Sequence, residues 1–115
     1  MICKRGDVVL VLYPDSNLQT AKLRPALVIQ ADNLNTGLPQ TIVAMITSNL
    51  VRVGHPSRIF IDLNLPQGRQ TGLRTDSVLM TDNIATALDS EIHRVIGTWP
   101  DLSLVDAALR VTLGL

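Results

Sequence analysis

Three short groups of residues in this sequence could do chemistry: Arg24 directly before Pro25, the run Thr47-Ser48-Asn49, and the pair Asp82-Asn83. Each stands where an apolar run gives way to polar residues. A guanidinium carries a permanent charge on a planar fork that matches phosphate oxygens. A hydroxyl donates to an oxyanion as it develops, and a carboxylate accepts a proton from a ribose hydroxyl. Together the three could act on a phosphodiester. Each also has a plain structural reading. Thr-Ser-Asn and Asp-Asn are ordinary turn residues. Proline suits the first position of a strand and pushes the residue before it towards extended backbone.

The elements that must position these groups read mostly as short strands. Val8 to Tyr13 is apolar and rich in valine, and Pro14 ends it. Asp15 to Leu23 reads as a polar loop, Pro25 to Gln30 as a second strand and Thr41 to Ile46 as a third. Arg58 to Leu63 alternates polar and apolar residues, as a half-buried strand does. Pro66 to Gly72, with two glycines, reads as a loop. Asp76 to Met80 is a further strand, and Ile84 to Leu88 continues extended. Asp89-Ser90-Glu91 reads as a brief helical start before a final edge strand over Val95 to Pro100. At the end, Asp101 or Ser103 can cap a helix that places Leu102, Val105, Leu109 and Leu113 on one face, with Gly114 at its stop. This pattern predicts a mainly β (α+β) domain over 1–115, a small barrel or strongly curved antiparallel sheet with one C-terminal helix.

Apolar residues make up 46% and charged residues 17%, which suits one packed core and excludes a disordered chain. Aromatics are 3%, so the core must be aliphatic and base stacking on rings cannot be the main mode of binding. The net charge is zero but uneven. Met1 to Thr75 carries eight basic and four acidic residues, and the remainder carries Arg94 and Arg110 against six acids. A basic front half could accept a polyanion, unless the two halves interleave in the fold. The single Cys3 forbids an internal disulfide and fits a reducing cytosol. Neither a signal peptide nor an apolar run of membrane-spanning length is visible.

Other chemistries find little support. His55, His93 and Cys3 have no metal-ligand spacing. No phosphate-binding glycine loop and no nucleophile elbow occurs, so neither a metal nor a nucleotide cofactor is indicated.

The order of several segments is specific where each alone is weak. Lys4-Arg5-Gly6-Asp7-Val8 comes first, followed by Arg24-Pro25-Ala26-Leu27-Val28-Ile29-Gln30 and Val43-Ala44-Met45-Ile46-Thr47-Ser48. Gly72-Leu73-Arg74-Thr75-Asp76-Ser77-Val78, Asp82-Asn83-Ile84-Ala85-Thr86 and the helix with Val105-Asp106 and Ala108-Leu109 complete the set. Over nearly the whole chain this resembles the MazF/PemK toxins of bacterial toxin–antitoxin pairs. The resemblance implies an SH3-like barrel with a C-terminal helix, a homodimer and a cytoplasmic, metal-independent endoribonuclease that cuts single-stranded mRNA. The ribose 2′-hydroxyl attacks its own phosphate, leaving a 2′,3′-cyclic phosphate and a 5′-hydroxyl. The implied partners are RNA and an acidic antitoxin that occupies the same groove, with operator DNA met only through the antitoxin complex.

By this resemblance Arg24 matches the catalytic arginine, Thr47 the catalytic hydroxyl, and Asp82 an acidic position used by PemK-type members. Those members place an arginine two residues before that acid, where this chain has Met80. Arg24 or a nearby loop arginine would have to take over that role. Asn83 stands where relatives keep an amide that reads a base. The loops Leu50–Ser57 and Asn64–Arg74 would flank the RNA, with Arg52, Arg69 and Arg74 tracking phosphate and Ser48, Asn49, His55 and Arg58 also contacting RNA. Alternative readings are a gyrase poison of the CcdB type on the same fold and an inactivated family member. The first works through an aromatic on its last helix, and Val111 to Leu115 contains none.

Overall fold

The computed structural model describes residues 3–14 and 17–115. Met1-Ile2 of the opening segment and Asp15-Ser16 of the predicted polar loop lie outside the described residues. Six strands form one antiparallel sheet: β1 (Asp7–Pro14), β2 (Ala21–Val28), β3 (Gln40–Thr47), β4 (Arg58–Ile61), β5 (Ser77–Leu88) and β6 (Ile92–Thr98), in the order β4-β5-β3-β2-β1-β6. Alternation along the strands divides the core between the two faces of the sheet. Val9, Val11, Ala26, Val28, Val43 and Met45 pack on one face with Ala87 and Ile92. Val8, Leu27, Ala44, Ile46 and Leu79 pack on the other with Val105 from the C-terminal helix.

That helix, α2 (Leu102–Leu113), starts and stops where its residues dictate. The Asp101 carboxylate accepts the Ser103 N–H at its N-terminus, and Gly114 ends it in the left-handed region at φ +70°. Val105 and Ala108 are buried, Leu102 and Leu109 pack at the margin, and Leu113 is exposed. The predicted apolar stripe is therefore one turn too long at its end. Arg5 fastens the helix to the sheet, donating to the Asp106 carboxylate and to the Ile29 carbonyl.

The structure corrects the expected elements in three places. The second strand begins at Ala21, because that polar stretch pairs with β1 as far as Pro14↔Ala21. Ile84 to Leu88 is not a separate extended segment but the second half of β5, which runs for 12 residues. The expected loop after Leu65 holds a short helix, α1 (Pro66–Gln70), with proline in its first turn.

The ladder is open, with β4 and β6 at its edges. Two glycines bring the turn after α1 against β6. Gly72, just after α1, lies so close to β6 that a Cβ on it would stand 1.9 Å from the Ile96 carbonyl oxygen. A Cβ on Gly97 would stand 2.3 Å from the Thr71 carbonyl. The turn after α1 thus seats on β6 through backbone-to-backbone contact that only glycine permits.

Candidate active site

The β2–β3 ladder pairs Val28 with Val43, Leu27 with Ala44 and Ala26 with Met45, and then stops. The stop falls at Pro25, which has no N–H to extend it. Continued in the same register, Arg24 would face Thr47. Instead Arg24 stays with β1, opposite Val11, while Thr47 stays with β5, opposite Val78. The strands part at this point and open a groove of about 1340 Å³. Arg24 and Thr47 both line it. Leu10, Tyr13 and Leu23 line it from the β1–β2 hairpin, Met45 and Ile46 from β3, Met80 and Asn83 from β5, and Arg94 to Ile96 from β6.

The charge of the groove is one-sided. Arg24, Arg52, Arg74 and Arg94 line it, and its described lining includes no carboxylate and no imidazole. Three of these arginines come from the basic front half. Arg94 comes from the acidic half, and composition gave no hint of it. It reaches the groove because β6 pairs with β1, where Arg94 lies opposite Leu10. Thr47 Oγ1 accepts the Asn49 N–H at 3.1 Å, which fixes the oxygen and leaves the hydroxyl proton to donate.

Of the residues predicted for the site, the groove collects Arg24, Thr47, Ser48, Arg52, Arg74 and Asn83. It does not collect Asp82, Asn49, His55, Arg58 or Arg69, and internal bonds account for each of these. The Asn49 carboxamide caps the turn Leu50–Arg52 by accepting the Val51 N–H. The His55 ring lies 2.7 Å from the Ser57 hydroxyl, and Arg69 donates to the Leu63 and Asn64 carbonyls. Arg58 and Asp82 hold each other, with Nη2 to Oδ2 at 2.8 Å. Among the described residues, no three His, Cys, Asp or Glu side chains are placed to hold a metal ion, and no helix is long and apolar enough to cross a membrane.

Hydrogen bonding from Arg58 holds the Asp82 carboxyl below the usual carboxylate range, helped by the charges of Arg58 and His55. A group depressed in the folded state contributes stability above its unfolded pKa of about 3.9 and loses it as the pH falls through the folded value. Both partners are partly exposed, so the contribution should be below about 1 kcal/mol. The stability difference between the parent and Asp82→Asn is expected to be flat from neutral pH down to about pH 5 and to vanish in stronger acid. Thermal melts across that range check it.

From residue 4 to 113 the chain matches the family described as "PemK-like, MazF-like toxin of type II toxin-antitoxin system", and it belongs to that family. It is 34% identical over 118 residues to endoribonuclease EndoA of Bacillus subtilis, a match covering 100% of this chain and 97% of that protein. It is also 34% identical over 119 residues to endoribonuclease MazF6 of Mycobacterium tuberculosis, over the full length of both. Among solved structures, a mycobacterial endoribonuclease in complex with its cognate antitoxin shares the fold at a TM-score of 0.74 and 20% identity, covering 99% of this chain and 97% of the other. MazF in a MazE–MazF complex from Deinococcus radiodurans does so at 0.73 and 19%, covering 100% and 99%.

Proposed function

We propose that this toxin is an endoribonuclease that cuts single-stranded RNA by attack of a ribose 2′-hydroxyl on the adjacent phosphate. The observation that carries the reading is that Arg24 and Thr47 line one groove together, with four arginines and no acid in its described lining. As the O2′–P bond forms and the P–O5′ bond breaks, a dianionic phosphorane develops. Arg24 offsets that charge, and the Thr47 hydroxyl donates to a non-bridging oxygen. Arg24 keeps its own proton too tightly to act as a base. The products are a 2′,3′-cyclic phosphate and a 5′-hydroxyl, the proton gained by O5′ balancing the one lost from O2′. Asn83 lies where its carboxamide can read a base edge, and Ser48 follows Thr47 along the same wall. The relatives' names support RNA as the substrate class.

The antitoxin complexes of the structural neighbours support an antitoxin partner, and an acidic segment of it is proposed to compete with RNA for the arginines of the groove. The active form is proposed to be a homodimer, which analytical ultracentrifugation would check.

The test is to incubate the purified protein with a long single-stranded RNA in EDTA and to map the ends. Discrete cuts with 5′-hydroxyl ends are expected. Intact RNA, from protein shown to be folded and free of antitoxin, overturns the proposal. The arginines also predict salt dependence. Each phosphate contact on a single strand contributes about 0.7 to the slope of log affinity against log salt. Arg94→Gln is expected to weaken RNA binding and to reduce that slope by about 0.7. An unchanged slope in fluorescence titrations would remove Arg94 from the contact set.

A further inference from the structure

The Arg58 guanidinium joins two separate segments of the groove wall. Nη2 meets Asp82 Oδ2 at 2.8 Å and Nε meets Oδ1 at 3.4 Å, so both carboxylate oxygens face one fork. Nη1 donates to the Arg52 carbonyl at 3.3 Å. Arg52 and Asn83 both line the groove, while Arg58 and Asp82 do not. Behind this pair lies a second, buried tie. The Thr81 N–H and hydroxyl both donate to the Ser57 carbonyl, at 3.0 and 2.6 Å, and Thr81 and Ser57 are at most 1% exposed. The Thr81 proton being committed, the Thr112 hydroxyl donates to Thr81 at 2.9 Å and brings in the end of α2. Residues 81–83 need such ties. The β3–β5 register jumps from Met45↔Met80 to Ala44↔Ile84, so β3 offers them no ladder partner.

We propose that Arg58 and Asp82 form a brace that sets the spacing between Arg52 and Asn83, and that Asp82 is a positioning residue rather than the base that takes the 2′-hydroxyl proton. The inference rests on the endoribonuclease reading above. Asp82 is absent from the groove's lining, and its oxygens are turned to Arg58, Oδ2 at 2.8 Å and Oδ1 at 3.4 Å, so the carboxylate is held to its partner rather than presented to a substrate in the groove. The buried Thr81–Ser57 tie fixes the root of the loop. The charged pair carries that constraint five residues further, to the side chain that meets RNA. A guanidinium suits this work because its fork fixes direction as well as distance.

Two substitutions separate brace from base. Asp82→Asn keeps an oxygen for Arg58 but cannot accept a proton. Arg58→Ala leaves the carboxylate intact but cuts the brace. The brace predicts that Arg58→Ala is the more damaging, lowering kcat/KM for RNA by about tenfold or more, chiefly through KM. Asp82→Asn should lose less, and Arg58→Lys should fall between Arg58→Ala and the parent. Hydrogen exchange of a peptide spanning 49–56 should quicken in Arg58→Ala. A fall in kcat of about a hundredfold or more in Asp82→Asn, with Arg58→Ala close to the parent, overturns the brace and makes Asp82 the base. If the parent itself cuts no RNA, the functional reading fails and exchange alone decides. Unchanged exchange in Arg58→Ala then rejects the brace.

Discussion

Arg24→Ala is expected to lower the rate of RNA cleavage by about a hundred- to a thousandfold, the effect of removing one preorganised donor from a developing oxyanion. The folded state should survive the change. Arg24 is exposed and sits at the end of the β2–β3 ladder rather than in either core cluster. Exposed substitutions of this kind stay within about 0.5 kcal/mol. Pro25 explains why the effect should be so concentrated. It holds the backbone at Arg24 extended where the β2–β3 ladder stops, so the guanidinium loses little freedom when it meets the transition state. Arg24→Lys tests the fork itself: charge is kept, two-point contact with phosphate is lost, and activity should recover only in part. Single-turnover kinetics with parallel melts would show it. A rate unchanged in Arg24→Ala would pass the catalytic role to Arg52, Arg74 or Arg94, the other arginines of the groove. A collapsed melt would make Arg24 a structural residue.

The largest loss of stability should come from Gly72→Ala. The added Cβ would stand 1.9 Å from the Ile96 carbonyl oxygen, which is backbone and cannot swing aside. Gly72 also has φ +74°, costly for any residue with a side chain. Overpacking and backbone strain together should cost about 3 kcal/mol or more, from a total that for a domain of this size is about 5–15 kcal/mol. The melting midpoint should fall by on the order of 10 °C. Gly37→Ala is the matched control. Its φ is +77°, but nothing lies within 4 Å of the added carbon, so only the backbone cost remains. Equal shifts in the two variants would show that the close contact between Gly72 and β6 adds nothing to stability.

What could be read from the sequence was what local residue chemistry decides. The valine-rich run from Val8, the Asp101 cap and the Gly114 stop each act within a few residues, and the structure has all three, while Pro25, expected at the first position of its strand, is the fifth residue of β2. Gly68 and Gly72 read as loop residues. Yet Gly68 lies inside a short helix, where a Cβ would stand 1.9 Å from the Asp62 carbonyl oxygen, a neighbour no local pattern names. Half of the groove could be read in the same way. Arg24 and Thr47 announce themselves at the ends of apolar runs. Arg94 does not, since it is an unremarkable edge-strand residue until β6 pairs with β1. The pairing of Asp82 with Arg58 was equally hidden. The partners are 24 positions apart, and an arginine at the head of a strand beside a basic loop reads as a phosphate contact until its acid is seen.

The three residues of β5 that β3 leaves unpaired separate inheritance of the fold from inheritance of the target. Val78 to Met80 and Ile84 to Leu88 are committed to the ladder, where a change of register would turn every side chain to the wrong face. Asn83 stands outside that commitment and still faces the groove. On the proposed function, substitution at this position is expected to exchange one base preference for another while the scaffold remains as it is. A collection of Asn83 variants, screened for where they cut, would be a practical route to ribonucleases of altered sequence preference.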